Sequence, residues 1–190
     1  MKPVILLGIC GSLRANSSNR ALLEVAATLV PAGVTLSICE MIGTLPLFRP
    51  DQPEPAPTAV LRFREALAAA DAVITASPEY AHGITGGLKN ALDWVVASGE
   101  FSEKPVAVPN TSPSSRHAHE ALVEILTTMD ARVVPEASSR IPLPSMRTTR
   151  DEIAADAGLC GSIRSMLEAI VAAIPCQDRQ TCRPIPKGLE

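Results

Sequence analysis

Between Ala72 and Trp94 the chain switches from one hydrophobic repeat to another, and that switch limits the folds open to it. Ala72-Val73-Ile74-Thr75-Ala76 is continuously apolar, apart from one threonine, as a strand buried on both faces requires. Ser77-Pro78-Glu79-Tyr80 breaks the run, and Gly83, Gly86 and Gly87 follow. Leu88, Ala91, Leu92 and Val95 then recur at helical spacing. A strand that stops at a Gly/Pro turn and hands over to a helix presents its backbone at the carboxyl edge of a sheet. Ligands of open α/β sheets bind at that edge.

The same unit recurs along the chain. Val4 to Ile9 is a buried-strand run, followed by the polar loop Gly11 to Asn19 and a helix carrying Leu22, Leu23, Ala26, Leu29 and Val30. Ser17 or Ser18 is the expected N-cap of that helix, and Pro31 and Gly33 end it. Val34 to Cys39 reads as a second strand. The stretch from Met41 to Pro57 holds five prolines and reads as an irregular surface loop. Thr58 caps a second helix in this reading, with Val60, Phe63 and Leu67 on one face. The stretch with the switch supplies the third strand. Pro105 to Val108 is the fourth, and the loop Asn110 to Ser115 and a helix with Leu122, Ile125 and Leu126 follow it. Ala131 to Val134 is the fifth. Five strands alternating with helices predict a doubly wound five-stranded parallel sheet with helices on both faces. Residues 135–174 add a Pro/Ser-rich connection and one helix from about Asp151 to Ile174. Residues 1–174 then form one domain, and 175–190 a polar tail expected to be mobile.

Bulk properties narrow the function. A net charge of −3 over 190 residues gives no electrostatic case for nucleic acid or an anionic membrane. Three Phe, one Tyr and one Trp offer no base-stacking platform. Met1 to Cys10 reads as a strand rather than a signal peptide, and no apolar run approaches the ~20 residues of a membrane helix. Five scattered cysteines without a CxxC pair point to reduced thiols and a cytoplasmic protein. A Cys176–Cys182 bridge in the tail has nothing in the sequence to support it. His117 and His119 lack metal-ligand spacing, and no residue is assigned as a general acid or base.

The loop Gly11-Ser12-Leu13-Arg14-Ala15-Asn16-Ser17-Ser18-Asn19 runs into a helix amino terminus, whose free amides and partial positive charge suit a phosphate. It has one glycine and no Gly-Lys-Ser/Thr, so neither the dinucleotide fingerprint nor the P-loop is present. On residues alone, a phosphate site and an ordinary serine-capped loop stand level.

The two loops together are more specific. Gly11-Ser12-Leu13-Arg14 with Ser17 and Asn19, then Pro78-Glu79-Tyr80 and Gly86-Gly87-Leu88-Lys89-Asn90-Ala91-Leu92-Asp93-Trp94, resemble the NADPH-dependent FMN reductase family. The pattern of elements extends the resemblance from residue 4 to about residue 134. It implies a flavodoxin-like fold, FMN as cofactor, NADPH as donor and a small-molecule acceptor such as a quinone or a flavin. It implies that Ser12, Arg14, Ser17, Ser18 and Asn19 hold the FMN phosphate. Pro78, Glu79, Tyr80, Ala81, His82 and Gly83 would border the flavin ring, with Thr111 and Ser112 on its far edge. Leu88 to Trp94 would be structural and would contribute to a homodimer or homotetramer interface.

Three departures stand out. Ala81 replaces the family's asparagine, with His82 beside it as the substitute hydrogen-bonder. Thr85 replaces its proline. Thr111 to Ser115 replaces a glycine-rich loop. They lead to the expectation of a smaller, less rigid ring wall, a broad acceptor range, and a Gly83 that tolerates no larger side chain. An electron carrier of flavodoxin type and a non-catalytic domain of the same fold remain the alternatives.

Overall fold

The computed structural model describes residues 3–51, 55–112 and 115–175. The tail expected to be mobile, with Cys176 and Cys182, lies outside the described residues.

Five parallel strands form one sheet: β1 (Val4–Cys10), β2 (Val34–Cys39), β3 (Ala72–Ala76), β4 (Pro105–Ala107) and β5 (Arg132–Val133). Their order across the sheet is β2-β1-β3-β4-β5. That order reverses direction at β1, with β2 on one side and β3 on the other. This is the switch point of a flavodoxin-like sheet, and it opens a crevice between the loops after β1 and β3. The register sets Gly8 beside Ile74 and Cys10 beside Ala76, so the two strands end level and their loops leave together.

Among the described residues, six α-helices cover the sheet: α1 (Ser18–Leu29), α2 (Thr58–Ala69), α3 (Gly86–Asp93), α4 (His117–Thr128), α5 (Arg150–Ala155) and α6 (Ala157–Ala172). One face buries Leu7, Ile9, Val73 and Val106 against Phe63 and Leu67 of α2, Leu88 and Leu92 of α3 and Leu122 of α4. The other buries Leu6, Ile74 and Ala107 against Leu22 and Leu23 of α1 and Ile163 and Leu167 of α6. The unbroken apolar runs of β1 and β3 follow from this, because both of their faces are covered.

Strands β4 and β5 are shorter than the sequence predicts, ending at Ala107 and spanning only Arg132–Val133, and three helix boundaries also differ. The N-cap of α2 is Pro57, and Thr58 is already its first helical residue. The last helix is two helices. Asp156 has extended backbone and accepts from the amides of Gly158 and Leu159, which ends α5 and starts α6 there; Gly158 and Gly161 both lie inside α6. Finally, α3 stops at Asp93, and its apolar residues Leu88, Ala91 and Leu92 are all buried within the chain.

The Gly-Gly-Leu-Lys-Asn-Ala-Leu-Asp-Trp segment is structural, as the sequence implies. The Asn90 side chain donates to the Pro46 carbonyl (3.0 Å) and accepts from the Phe48 amide (2.8 Å). The Trp94 indole donates to the same Pro46 carbonyl (2.7 Å), and its ring meets Phe48 edge-on at 5.2 Å. Thus α3 clamps the proline-rich loop onto the domain.

Candidate functional site

Three loops leave the carboxyl ends of β1, β3 and β4, and hydrogen bonds tie each to the other two. Loops one and two meet at Gly11, where the Thr85 hydroxyl donates to the Gly11 carbonyl at 2.5 Å. A Cβ at Gly11 would fall 2.4 Å from the Ser77 Oγ and 2.8 Å from its Cβ, so this approach requires glycine. Loops one and three meet where the buried Thr111 hydroxyl donates to Asn19 Oδ1 at 2.8 Å. Loops two and three meet at Glu79. Its Oε2 accepts from the Ser115 hydroxyl (2.9 Å), the Arg116 amide (3.0 Å) and the Ala118 amide (2.9 Å). Two of these donors are amides at the start of α4, which otherwise has no side-chain cap. The Ala118 amide, with the Ser115 hydroxyl and the Arg116 amide, holds the Glu79 carboxyl below the ordinary glutamate range. Glu79 is therefore an ionised strut between loops.

These loops enclose a cleft of about 380 Å³, within the range of small-molecule sites. Ser12, Arg14, Ser17, Ser18 and Asn19 line it from loop one, Pro78, Glu79 and Tyr80 from loop two, and Thr111 and Ser112 from loop three. All ten of these residues are sequence-predicted. Ala81, His82 and Gly83 do not line it. They form a tight turn in which the Tyr80 and Gly83 amides each donate to the other's carbonyl at 3.0 Å. Ala81 and His82 occupy its centre at φ 49° and 60°. Such a turn prefers Asn-Gly, because both central residues are left-handed. Ala81 therefore stands where asparagine suits the backbone better, and His82 stacks on His117 at 4.4 Å and does not line the cleft.

The expectation of a looser wall at Thr85 is also corrected. Thr85 accepts from the Leu88 amide as the N-cap of α3 while donating to Gly11, so it fastens the loop. Nor is space the reason for glycine at position 83, where a Cβ would meet nothing nearer than the Tyr80 carbonyl at 3.7 Å.

The sequence reading missed the cleft's last wall. Residues 143–146, with Ser115, complete the lining. The segment after β5 runs back beside loop three: the Ile141 amide donates to the Asn110 carbonyl (3.0 Å) and the Leu143 amide to the Thr111 carbonyl (2.9 Å). This strap brings Leu143, Pro144 and Met146 to the cleft. The proline-rich composition signalled an extended segment, but its destination depends on pairing that local sequence does not encode.

The residues fit a group that carries both a phosphate and a flat apolar ring. The N-cap of α1 is Ser17, whose hydroxyl makes no capping bond, and this leaves the first-turn amides open. Ser12, Ser17, Ser18 and Asn19 are buried polar residues around that opening. Arg14 adds a guanidinium that pairs with no carboxylate among the described residues. The apolar part of the lining comes from Pro78, Tyr80, Leu143, Pro144 and Met146. Tyr80 and Met146 are 48% and 70% exposed, as apolar side chains at the mouth of an open site. Below loop one, Cys10 donates to the Ser12 carbonyl (3.4 Å), and burial pushes its thiol pKa up, which makes it a packing residue and a poor nucleophile.

A parallel sheet of this order, with its crevice at the switch point and an open helix terminus in it, defines a flavodoxin-like protein. The sequence profile of NADPH-dependent FMN reductases matches residues 4–142, and the chain belongs to that family. An NAD(P)H-dependent FMN reductase of Pseudomonas aeruginosa is 44% identical over 110 residues, which are 56% of this chain and 59% of that protein. A quinone reductase of Escherichia coli is 31% identical over 133 residues, 66% of this chain and 71% of that protein. Among solved structures, the flavoenzyme NAD(P)H:(acceptor) oxidoreductase of Paracoccus denitrificans superposes with a TM-score of 0.70 at 26% identity. The match covers 90% of this chain and 98% of that one. The match to the Pseudomonas aeruginosa relative thus spans somewhat under two thirds of that protein's length.

Proposed function

We propose that this chain is an FMN-dependent oxidoreductase that takes reducing equivalents from NAD(P)H and delivers them to a quinone, a flavin or a similar small acceptor. The observation that carries this is the uncapped start of α1 beside the unpaired Arg14, in a cleft whose remaining lining is largely apolar. In this reading the α1 amides, the serine hydroxyls and Arg14 hold the FMN phosphate, because each offers a hydrogen-bond donor to an anion. Pro78, Glu79, Tyr80, Thr111, Ser112 and the 143–146 strap border the ring. Bound FMN supplies the hydride and electron chemistry itself, and the protein contributes binding, orientation and an open face for donor and acceptor. Glu79 acts by holding loops two and three together.

The relatives named above support the activity. Among the described residues no helix is long and apolar enough to cross a membrane, and we place the enzyme in the cytoplasm. We also propose a homodimer or homotetramer. The face supporting it is not the buried stripe of α3 but Leu47, Phe48 and Val96, which are 79%, 40% and 57% exposed. A monomer at micromolar concentration by light scattering would rule this assembly out.

The test of function is the visible spectrum of the purified protein, before and after addition of FMN, followed by NADPH oxidation with a benzoquinone. Yellow protein with acceptor-dependent turnover is expected. A flavoprotein that fails to turn over NAD(P)H would be a carrier, and a protein that never binds FMN would be a non-catalytic domain. The Arg14→Ala, Asn19→Ala double variant should weaken FMN binding by ~1–3 kcal/mol. Unchanged affinity in a fluorescence titration would remove the phosphate from this loop.

A further inference from the structure

A second, larger cavity of about 560 Å³ adjoins the cleft. Residues 14–17, Arg20, Ala21 and Glu24 of α1, and residues 147–150 line it. Arg14 and Ser17 line both cavities. The strap does so as well: residues 143–146 border the cleft and 147–150 border the second cavity, so the two are successive stations along one segment.

The second cavity is strongly basic in a chain whose net charge is −3. Four arginines line it against one glutamate. Arg20 is already engaged, to Glu24 at 2.9 Å and to Glu40 at 2.6 Å. Arg14, Arg147 and Arg150 pair with no carboxylate among the described residues. The nearby Glu152 is taken up by the Thr149 amide and hydroxyl (2.7 and 2.9 Å). Guanidinium groups gathered around a cavity without counter-charges fit a polyanionic ligand, and their planar donor forks suit phosphate oxygens.

We propose that this cavity seats the phosphorylated adenosine end of the donor, with Arg147 and Arg150 binding the 2′-phosphate that distinguishes NADPH from NADH. The inference rests on reading the adjoining cleft as the flavin site. FMN has a single phosphate, and the α1 terminus with its serines already provides for it. With Arg14 shared with the FMN phosphate, two further positive charges, Arg147 and Arg150, pair with no carboxylate among the described residues and call for a second phosphorylated group. A donor whose nicotinamide reaches the cleft and whose other end carries phosphates spans the two stations. Arg147 and Arg150 are exposed and carry no fold-stabilising bond through their side chains, so their replacement tests recognition rather than folding.

The experiment uses the FMN-loaded wild type, R147A, R150A and the double variant. It measures kcat/KM with NADPH and with NADH, calorimetric binding of adenosine 2′,5′-bisphosphate and of 5′-AMP, and FMN affinity by fluorescence. Loss of a charge-assisted phosphate contact should cut kcat/KM for NADPH about tenfold or more, mainly through KM. NADH kinetics and FMN affinity should stay at wild-type values. Wild type should bind the 2′,5′-bisphosphate more tightly than 5′-AMP, and the double variant should lose that difference. Equal losses for NADPH and NADH, an unchanged NADPH preference, or weakened FMN binding in the variants would each overturn the assignment. If wild type fails to oxidise either nucleotide, the oxidoreductase reading falls as well, and that result is distinct from turnover with no discrimination at Arg147 and Arg150.

Discussion

The two loops at the switch point solve the same problem with opposite degrees of constraint. Loop one is buried at both ends, Gly11–Ser12 and Ser17–Asn19, and fixed from three directions: Gly11 against Ser77, the Gly11 carbonyl on Thr85, and Asn19 on Thr111. The turn at Tyr80–Gly83 is exposed and held by one pair of backbone bonds, with Ala and His where the backbone favours Asn and Gly. In the function proposed above, the difference separates two tasks. Phosphate binding needs amides and hydroxyls held in place, because a loose donor gains little over water. An acceptor site used by several small molecules tolerates a rim with slack.

The largest effect should come from the fixed side. Gly11→Ala puts a methyl group 2.8 Å from the Ser77 Cβ and 3.2 Å from a Leu88 methyl. No rotamer change moves Ser77 Cβ, so the strand ends must separate. Overpacking of this kind costs ~1–3 kcal/mol, or roughly 2–12 °C in Tm for a domain of this size. FMN affinity should fall with it. An unchanged melting curve would mean that the junction is less constrained than its geometry.

The strut between loops two and three comes next. Glu79 binds its donors as a carboxylate, so its folded pKa lies below the unfolded value. Its contribution is complete above the ordinary glutamate pKa of about 4.3 and is lost as pH falls through the lowered folded value. Acid titration of FMN fluorescence should show release of cofactor setting in below that range. Glu79→Gln should bind FMN less tightly at neutral pH and show a flatter acid profile. A variant with the wild-type profile would exclude this carboxylate as the cause.

How much of this was visible beforehand follows the range of each interaction. The strands and the crevice are legible because unbroken apolar runs and polar loops at helix starts are local signals, while the ten lining residues follow from the resemblance carried by the two loop motifs. The motif at Leu88 to Trp94 reads as structural because Leu92 and Trp94 belong to residue types that are usually core, and both are buried here. The strap at 143–146 was not legible, because its place depends on bonds to Asn110 and Thr111. The left-handed turn at Ala81 and His82 was hidden for the opposite reason: the residues there are the wrong ones for the backbone they adopt. Thr85 looked like a weakened proline site, and only the structure shows its hydroxyl bridging two loops.

A smaller effect, of opposite sign, is expected at that turn. Asparagine visits the left-handed region at lower cost than alanine, so Ala81→Asn should stabilise the protein by roughly 0.5–1 kcal/mol. The gain should appear as about 1–4 °C in Tm, with FMN affinity unchanged because Ala81 does not line the cleft. A drop in Tm would mean that the backbone at position 81 is not left-handed.

The smallest effect should be at Gly83, and it sharpens the contrast with Gly11. Both are glycines at the carboxyl edge of the sheet, in loops that resemble the family pattern. Gly11 has a neighbour well inside van der Waals contact of a new methyl group, whereas Gly83 has only a carbonyl at 3.7 Å, an ordinary van der Waals separation. Its φ is not in the left-handed region, unlike those of Ala81 and His82, so a side chain adds no backbone strain. Its bonds to Tyr80 use main-chain atoms alone and survive substitution. Gly83→Ala should therefore leave Tm, FMN affinity and turnover with NADPH and a benzoquinone at wild-type values. Gly83→Val, which is larger and suited to extended backbone, should also bind FMN normally. Steady-state kinetics with a benzoquinone and an azo dye, alongside a flavin titration, decide the matter. A selective loss with the bulkier acceptor would place position 83 at the acceptor's path, and a loss of flavin would return it to the cofactor wall.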